Sequence, residues 1–352
     1  MVEQKHKFPY RWTLRDAVFT NDKGTVFSCF SGGGGSSMGY KMAGFDVIGC
    51  NEIDPRMMKV YKNNLHPKYS FLNPIQEFKE RGELPKELYE LDILDGSPPC
   101  SSFTMAGLRS KAWGETKKFR EGQTEQVLDT LFFDFIDVAE RLRPKVVIAE
   151  NVKGLLLGDA IKYVREIYER FDRAGYYCQH WLLDASVMGV PQKRERVFFI
   201  CLRKDLADQF LYQANMFDIL PKINMDFSEP IIPFSEIMTM DQGHANGVLR
   251  KIWGITAKGE NPPGNSYFSY VKGHENKPLP TIVGGGKNVT VTIMHPTIER
   301  FLNNEEVILG SSFPTDYDFS GQRAGYVCSM CVPPVMIAQI ALRVYEEWLS
   351  KI

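Results

Sequence analysis

Short apolar runs alternate with amphipathic segments along residues 25–203, and this rhythm constrains the fold more than any other feature of the sequence. Strands are predicted where the runs are richest in Val, Ile, Phe and Leu, at 25–30, 45–51, 91–95, 146–150 and 196–202. Helical periodicity is clearest in 125–142 and 159–174, where apolar side chains recur every three or four residues. Such alternation predicts an α/β fold, a mostly parallel sheet with helices on both faces.

The rhythm is lost after about residue 204. Residues 205–290 are rich in Pro, Gly and Asn and carry only short apolar stretches, which predicts a smaller, irregular domain with little helix. A terminal helix is predicted from residue 334, with Pro333 and Pro334 at its start. We therefore expect a large domain over 1–203, completed by 323–352, and a small domain over 204–322.

Composition narrows the class of protein. With 42 basic and 43 acidic residues the net charge is −1, which excludes a generally basic nucleic-acid binder but allows a local basic surface. Residues 243–290 hold six Lys or Arg against two acids, a local excess of +4. Seven scattered cysteines favour reduced thiols in a cytoplasm over a disulfide framework. We also expect neither a membrane span nor a secretory signal.

Two prolines precede Cys100 at the end of the apolar run 91–95. Proline fixes φ and restricts the residue before it, so Pro98-Pro99-Cys100 leaves the strand in a set direction. The carboxyl edge of a parallel sheet is where open α/β folds bind ligands, which makes the Cys100 thiol a candidate reactive group. A buried structural cysteine is the alternative on position alone.

A glycine-rich turn follows the first predicted strand. The run Gly32-Gly33-Gly34-Gly35 lets the backbone approach a ligand, and Glu52 follows 20 residues after Gly32, where an acid can accept hydrogen bonds from ribose hydroxyls. Ser37 stands where the dinucleotide fingerprint has its third glycine. A nucleoside without a pyrophosphate, such as S-adenosylmethionine, therefore fits better than NAD.

Charged residues mark two further strand ends. Glu150 ends the strand of "VIAENVKG", and Arg194 and Arg196 stand two apart in "GVPQKRERVFFI", so both point to one face of a strand. Two guanidinium groups on one face suit a phosphate or a polar base edge. Alternatively, Glu150 is solvated or caps a helix and the arginines form an exposed charged edge.

Taken in order, the glycine-rich turn, ProProCys, GluAsnVal and GlnLysArgGluArg resemble the DNA (cytosine-5) methyltransferases of bacteria and phages. The segments "TLFFDFIDVAERLRPK" (130–145), "NKPLPTIVGGG" (276–286), "HPTIERFLNNEE" (295–306), "SFPTDYDF" (312–319) and "VPP" (332–334) resemble the family as well. Only about 204–275 falls outside the resemblance, where the family keeps its target-recognition region. The resemblance implies a Rossmann-like methyltransferase sheet and a smaller, irregular target-recognition domain.

The resemblance also implies a reaction. Cys100 would add to C6 of a cytosine flipped out of duplex DNA, and the methyl group of S-adenosylmethionine would go to C5. Glu150 matches the residue that assists at N3, Arg196 the one that holds O2 and lowers the pKa of the thiol, and Arg194 its neighbour. The implied enzyme belongs to a restriction–modification system or a phage and acts as a monomer, beside a separate endonuclease where one exists.

The family pattern maps onto two sets of binding residues. The cofactor set consists of Phe30, Ser31, Gly32, Gly34, Gly35, Glu52, Ile53, Asn73, Pro98 and Leu131. The DNA set consists of Ser101, Ser102, Thr104, Arg109, Lys111, Lys117, Lys118, Arg250 and Lys251, most of them in a loop over 101–124 that resembles the family's DNA-closing loop. No metal ligand is expected.

The chain departs from the family at a few positions. Asn73 replaces the usual acid, and we expect its side-chain carbonyl to receive the adenine amino group. Alternatively, Pro74 occupies this position and backbone groups contact the adenine. Met330 stands near the place of an Asn in the last motif, and Cys328 and Cys331 form an isolated CxxC, which is weak evidence for metal or redox chemistry. A catalytically silent DNA-binding relative and a tRNA cytosine-5 methyltransferase are the alternatives.

Overall fold

A computed structural model describes residues 5–99, 116–117, 126–127, 130–243, 247–264, 267, 269–284 and 291–352. Its centre is a seven-stranded sheet built from β1 (Thr25–Cys29), β2 (Asp46–Glu52), β3 (Tyr69–Leu72), β4 (Ile93–Gly96), β7 (Val146–Val152), β8 (Tyr176–Asp184) and β9 (Glu195–Arg203). The strand order is β3-β2-β1-β4-β7-β9-β8. Neighbouring strands from β3 to β7 are parallel, whereas β9 runs antiparallel to both β7 and β8. The predicted α/β fold with a mostly parallel sheet is confirmed.

Helices cover both faces of this sheet. One face carries α3 (Ile75–Glu80), α4 (Leu131–Leu142) and α5 (Ile161–Arg173), whose buried side chains such as Phe132, Phe135 and Phe171 join one apolar cluster. The other carries α1 (Gly35–Met42) and α9 (Pro334–Glu347), packed around Tyr40, Ile337 and Trp348. The apolar side chains that recur at helical spacing in the sequence are thus buried against the sheet, and this burial is the main source of helical stability in a folded chain.

Sequence signals set several helix boundaries. The helix α2 (Pro55–Leu65) begins after Asp54, whose side chain accepts a hydrogen bond from the N–H of Arg56, with Pro55 in the first turn. The helix α9 begins with Pro334 in its first turn, as predicted.

The structure corrects the sequence reading at a few elements. The helix predicted over 125–142 starts only at Leu131, because β6 (Gln126–Val127) pairs with β5 (Thr116–Lys117) in a short antiparallel ladder instead. The strands β3 and β8 were not predicted. Both are edge strands that each pair with one neighbour only within the sheet, and their apolar patterning is correspondingly weaker.

Residues after 204 form the predicted irregular region. Its strands are the short β10 (Leu211–Gln213), β11 (Ile219–Pro221), β12 (Val271–Lys272) and β13 (Ile293–Met294), and its helices are α6 (Gly247–Ile252) and α7 (Asn304–Gly310), before α8 (Ala324–Met330) leads into α9. Ala207 and Met225 belong to the same apolar cluster as α9, so the chain just after 204 packs with the large sheet. The domain division at 203/204 stays a prediction.

By length and composition, Ala324–Lys351 is apolar enough to cross a membrane, which the sequence reading did not anticipate. Its most apolar window is 78% buried within the fold, and the segment breaks between α8 and α9. This is the pattern of a core helix, because the α9 side chains share one apolar cluster with α1 and the central strands.

Candidate active site

The turn after β1 is shaped by left-handed backbone. Gly32 and Gly34 have φ of 51° and 90°, and Phe30 has φ of 53° although it carries a side chain. A Cβ on Gly35 would lie 2.4 Å from the carbonyl oxygen of Val332, so glycine is needed there for contact with the chain before α9. The Ser31 hydroxyl lies buried near the Cys50 thiol and makes no hydrogen bond of ordinary geometry with the described residues.

Glu52 closes this turn from the end of β2. Its Oε2 accepts from the N–H of Gly32 at 2.7 Å, and its Oε1 accepts from the N–H groups of Ile53 and Asp54 at 2.9 and 2.8 Å. The carboxylate is thereby held rigidly beside the glycine-rich turn, as a group that recognises hydroxyl donors requires.

An amide pair joins the ends of β2 and β3. The Asn51 Nδ2 group donates to the carbonyl oxygens of Phe71 at 3.2 Å and Asn73 at 2.9 Å, and also to Asn73 Oδ1 at 3.0 Å. Asn51 is buried, whereas Asn73 is half-buried at the sheet edge. The predicted cofactor residue Asn73 thus lies one strand away from Glu52, with its side chain fixed by Asn51.

The proline segment that precedes Cys100 is tied to the neighbouring strand. Asn151, buried at the end of β7, donates from Nδ2 to the carbonyl oxygen of Pro98 at 3.1 Å. This bond links the strand end that carries Glu150 to the Pro98-Pro99 turn. Cys100 itself, with Ser101, Ser102, Thr104, Arg109, Lys111 and Lys118, lies outside the described residues.

Glu150 and Arg196 form an ion pair at this edge. Arg196 Nε lies 3.0 Å from Glu150 Oε1, and both side chains are largely buried. The pairing follows from the antiparallel register, in which Arg196 faces Val152 and so lies diagonal to Glu150 on one face. The neighbouring Nη1 of Arg196 donates to the carbonyl oxygen of Glu195 at 2.8 Å, which fixes the guanidinium.

Arg194 occupies a different environment. Its Nη2 donates to the carbonyl oxygens of Ser329 and Cys331, both at 3.0 Å, and the side chain is almost fully buried. Burial lowers the pKa of Arg194, and the positive charge of Arg196 lowers it further. Arg194 therefore anchors the chain before α9, a positioning contact that the sequence reading did not foresee. Its expected part in the reaction stays a prediction.

A buried carboxyl lies next to this site in β4. Asp95 accepts hydrogen bonds from the hydroxyls of Ser28 at 2.6 Å and Tyr40 at 3.1 Å. Burial raises the pKa of Asp95 to about 7, with a further contribution from the negative charge of Glu150 and opposition from the two hydroxyls. Ser28 and Asp95 face each other in the register of β1 and β4, so the contact follows from strand pairing.

The isolated CxxC serves packing. Cys328 and Cys331 are buried and form no disulfide, and Cys331 Sγ lies 3.7 Å from where a Cβ on Gly32 would be. Burial raises the pKa of Cys328 above its ordinary range, which disfavours the reactive thiolate. Among the described residues there is no cluster of His, Cys, Asp or Glu able to hold a metal ion.

The remaining predicted residues fall into two groups. Leu131 is fully buried among the apolar residues of α4, and Ile53 is half-buried directly after Glu52. Arg250 and Lys251 lie exposed on α6, and the side chain of Lys117 in β5 is not among the described ones.

The basic excess of 243–290 is smaller at the surface than in the sequence. Lys272 is buried, where its ammonium lies 3.8 Å from the ring centroid of Trp253 and its Nζ donates to that residue's carbonyl oxygen. Lys258 forms an ion pair with Glu275. Arg250 and Lys251 remain exposed and available to an anionic partner.

Three buried polar residues of the site were missed by the sequence reading: Asn51, Asp95 and Asn151. Each is a polar residue at the end of an otherwise apolar strand, and that position is the signal that could have found them, because a buried polar group must have a partner. What the sequence does not show is which partner each residue has.

The fold is that of a Rossmann-like methyltransferase. It superposes, over 92% of this chain and 99% of the other, on a structure described as a DNA modification methyltransferase encoded within an Escherichia coli prophage, with a TM-score of 0.64 and 19% identity. DNMT2 of Spodoptera frugiperda matches with a TM-score of 0.63 and 18% identity over 92% of this chain and 100% of that one. At these identities the similarity establishes the fold.

The chain belongs to the C-5 cytosine-specific DNA methylase family, whose model matches residues 24–346. Among its relatives, the type II methyltransferase M1.HphI of Haemophilus parahaemolyticus is 26% identical over 338 residues, which is 90% of this chain and 85% of that protein. The type II methyltransferase M.NgoFVII of Neisseria gonorrhoeae is 27% identical over 346 residues, 92% of this chain and 86% of that one. The family resemblance seen in the motifs is thereby confirmed.

Proposed function

We propose that this protein transfers a methyl group from S-adenosylmethionine to C5 of a cytosine flipped out of duplex DNA. The observation that carries the proposal is the shared sheet edge: the Glu150–Arg196 ion pair, the Pro98 turn tied to Asn151, and the glycine-rich turn closed by Glu52 all lie there. Parallel strands deliver their carboxyl ends to one edge, which is where such folds bind substrates. The family to which the chain belongs supports the same reaction.

The residues present fit S-adenosylmethionine. The rigid Glu52 carboxylate suits the two ribose hydroxyls, the Gly32 turn leaves space for close backbone approach, and the buried Ser31 hydroxyl has bonding capacity left. Phe30, Ile53, Asn73, Pro98 and Leu131 complete the set that would hold the cofactor. When bound, S-adenosylmethionine supplies an electrophilic methyl group.

The chain's own residues would prepare the cytosine. The Cys100 thiolate adds to C6 and makes C5 electron-rich; after C5 has been methylated, loss of the C5 proton expels the thiolate and restores the ring. Glu150 stabilises the ring charge at N3 through a hydrogen bond or a proton, and Arg196 holds O2 of the base. Their ion pair keeps both side chains in place before the base arrives.

Duplex DNA is the proposed substrate, and the exposed Arg250 and Lys251 suit phosphate contacts. A cytosine stacked in a duplex exposes neither face of C6, so the base must leave the helix before Cys100 can reach it. We place the protein in the cytoplasm of a bacterium or a phage-infected cell, in a restriction–modification context like that of its type II relatives. Action as a monomer beside a separate endonuclease stays a prediction.

The test is covalent trapping. A duplex that carries 5-fluorocytosine at the target, incubated with S-adenosylmethionine, should hold wild-type protein in an adduct that survives denaturation, because fluorine at C5 cannot leave as a proton does. Cys100→Ala should form no adduct and methylate nothing, yet still retain DNA in a filter-binding assay. Methylation by the Ala variant would overturn the mechanism, and methylation of tRNA but not of duplex DNA would overturn the substrate.

A further inference from the structure

We infer that Asn73 recognises the adenine of the cofactor through its side-chain N–H group, as a donor to a ring nitrogen, and not through its carbonyl as an acceptor from the amino group. This inference rests on the proposed function, since it concerns the same cofactor pocket. It reverses the polarity that the sequence alone suggests for a residue in place of an acid.

Two backbone carbonyls determine the orientation of the Asn51 side-chain amide. Its terminal group lies 3.2 Å from the carbonyl oxygen of Phe71 and 2.9 Å from that of Asn73, and backbone carbonyls only accept hydrogen bonds. An oxygen placed there would face two other oxygens inside a buried environment, which is costly. The group that Asn51 turns to this side must therefore be its NH2, independent of any choice made in assigning amide atoms.

The orientation of Asn73 follows from that of Asn51. The same Asn51 NH2 group lies 3.0 Å from the terminal side-chain atom of Asn73. A second NH2 at this position would set donor against donor, so the atom is Oδ1. The Nδ2 group of Asn73 must then point away from Asn51, and within the described part of the chain it makes no hydrogen bond. Asn73 is half-buried, so this donor stays accessible.

Pro74, the residue after Asn73, cannot donate a hydrogen bond from its backbone, so the donor at this turn is the Asn73 side chain. Pro74 stands directly before α3 and has no backbone N–H, so the turn after β3 offers no main-chain donor at that position. Adenine presents its amino group flanked by two ring nitrogens, N1 and N7, which are both acceptors. A fixed N–H donor beside a proline therefore matches a ring nitrogen, whereas the amino group would face another donor.

Binding of nucleoside analogues to the full chain tests the assignment without any turnover. Calorimetry would compare S-adenosylhomocysteine with its 1-deaza, 7-deaza and 6-deamino forms, on wild type and on Asn73→Ala. A neutral hydrogen bond contributes about three- to tenfold in affinity. One deaza form should lose that factor on wild type but not on Asn73→Ala, whereas removal of the 6-amino group should change the affinity of both proteins by the same factor.

A charged variant of Asn73 separates the donor assignment from the acceptor assignment, because the two predict opposite changes in affinity. Asn73→Asp keeps an oxygen for Asn51 but turns a second oxygen toward adenine, so its affinity for S-adenosylhomocysteine should fall at least as far as that of Asn73→Ala. Gln76→Ala, which removes an amide bonded to Asp134 on α3 nearby, is the control and should bind all four nucleosides like wild type.

Tighter binding by Asn73→Asp, or coupling of Asn73 to the 6-amino group in place of a ring nitrogen, would overturn the donor assignment while leaving the proposed function in place. Failure of wild type to bind S-adenosylhomocysteine at all would overturn the proposed function and the assignment together.

Discussion

Replacement of the buried Asp95 by Asn should change how the stability of this protein depends on pH. Asp95 is 2% exposed and lies between the hydroxyls of Ser28 and Tyr40. An amide can serve both hydroxyls, since its oxygen accepts from one and its NH2 donates to the other. The substitution therefore removes the ionisation and keeps the shape and the hydrogen bonds of the site.

The magnitude follows from the pKa of Asp95, which is 3.8 in its ordinary state and about 7 in the fold because burial disfavours the charged form. Between these values the folded protein holds a proton that the unfolded chain has lost, so the free energy of unfolding falls as pH rises through this window and is level above about 7. The slope is about 1.36 kcal/mol per pH unit, and the total loss is about 4 kcal/mol. This is a large share of the 5–15 kcal/mol (roughly) that stabilises a typical domain.

Urea unfolding at pH 5, 6, 7 and 8 measures the effect. Asp95→Asn should gain about 2 kcal/mol on wild type between pH 5 and pH 7, and no more than a small further amount by pH 8. Asp46→Asn, which removes an exposed carboxyl of the same sheet, is the matched control. Parallel curves for Asp95→Asn and wild type across the whole range would refute the reasoning, because they would mean that Asp95 is ionised in the fold throughout.

Other substitutions probe the contacts around the site. Gly39→Ala should lower the free energy of unfolding in urea by about 1–3 kcal/mol, because its Cβ would lie 2.4 Å from the carbonyl oxygen of Pro334 and force α1 from α9. Gly82→Ala, with open space around it, should lower this free energy far less, and equal losses would contradict the packing argument. Arg194→Met should lower the unfolding free energy by about 2–4 kcal/mol through two lost bonds to carbonyls, and an unchanged midpoint would remove its anchoring part. Glu150→Gln should slow methylation by about a hundredfold with unaltered calorimetric affinity for S-adenosylmethionine; weaker cofactor binding would place Glu150 elsewhere.

Much of this architecture is readable from local periodicity. Buried strands need continuous apolar runs and covering helices need a repeat of 3.6 residues, so the central strands, α5 and α9 are predicted close to their observed bounds. Where local signals compete, the prediction fails. The segment 125–130 carries a helical pattern, yet Gln126 and Val127 pair with Lys117 and Thr116, a contact that no local pattern reports.

Sequence alone also determines which strand ends carry chemistry. Glycine conformations, the fixed φ of Pro98 and Pro99, and the polar residues after each apolar run all depend on neighbours along the chain. Those features can therefore be read along the chain, and they are enough to place Glu52 and Glu150 at one edge of the sheet. Asn73 was identified only through the family resemblance, because β3 was not predicted.

The tertiary structure decided which groups meet, because those contacts join residues that are far apart in the chain. The reversal of β9 brings Arg196 to Glu150, and the approach of α8 gives Arg194 two carbonyl partners, so that Arg194 anchors the chain before α9. Burial, which depends on the whole fold, raises the pKa of Asp95. The backbone carbonyls of Phe71 and Asn73 can only accept hydrogen bonds, so they orient the Asn51 amide. Asn51 in turn orients the Asn73 side chain, a contact between two strand ends that the sequence does not show.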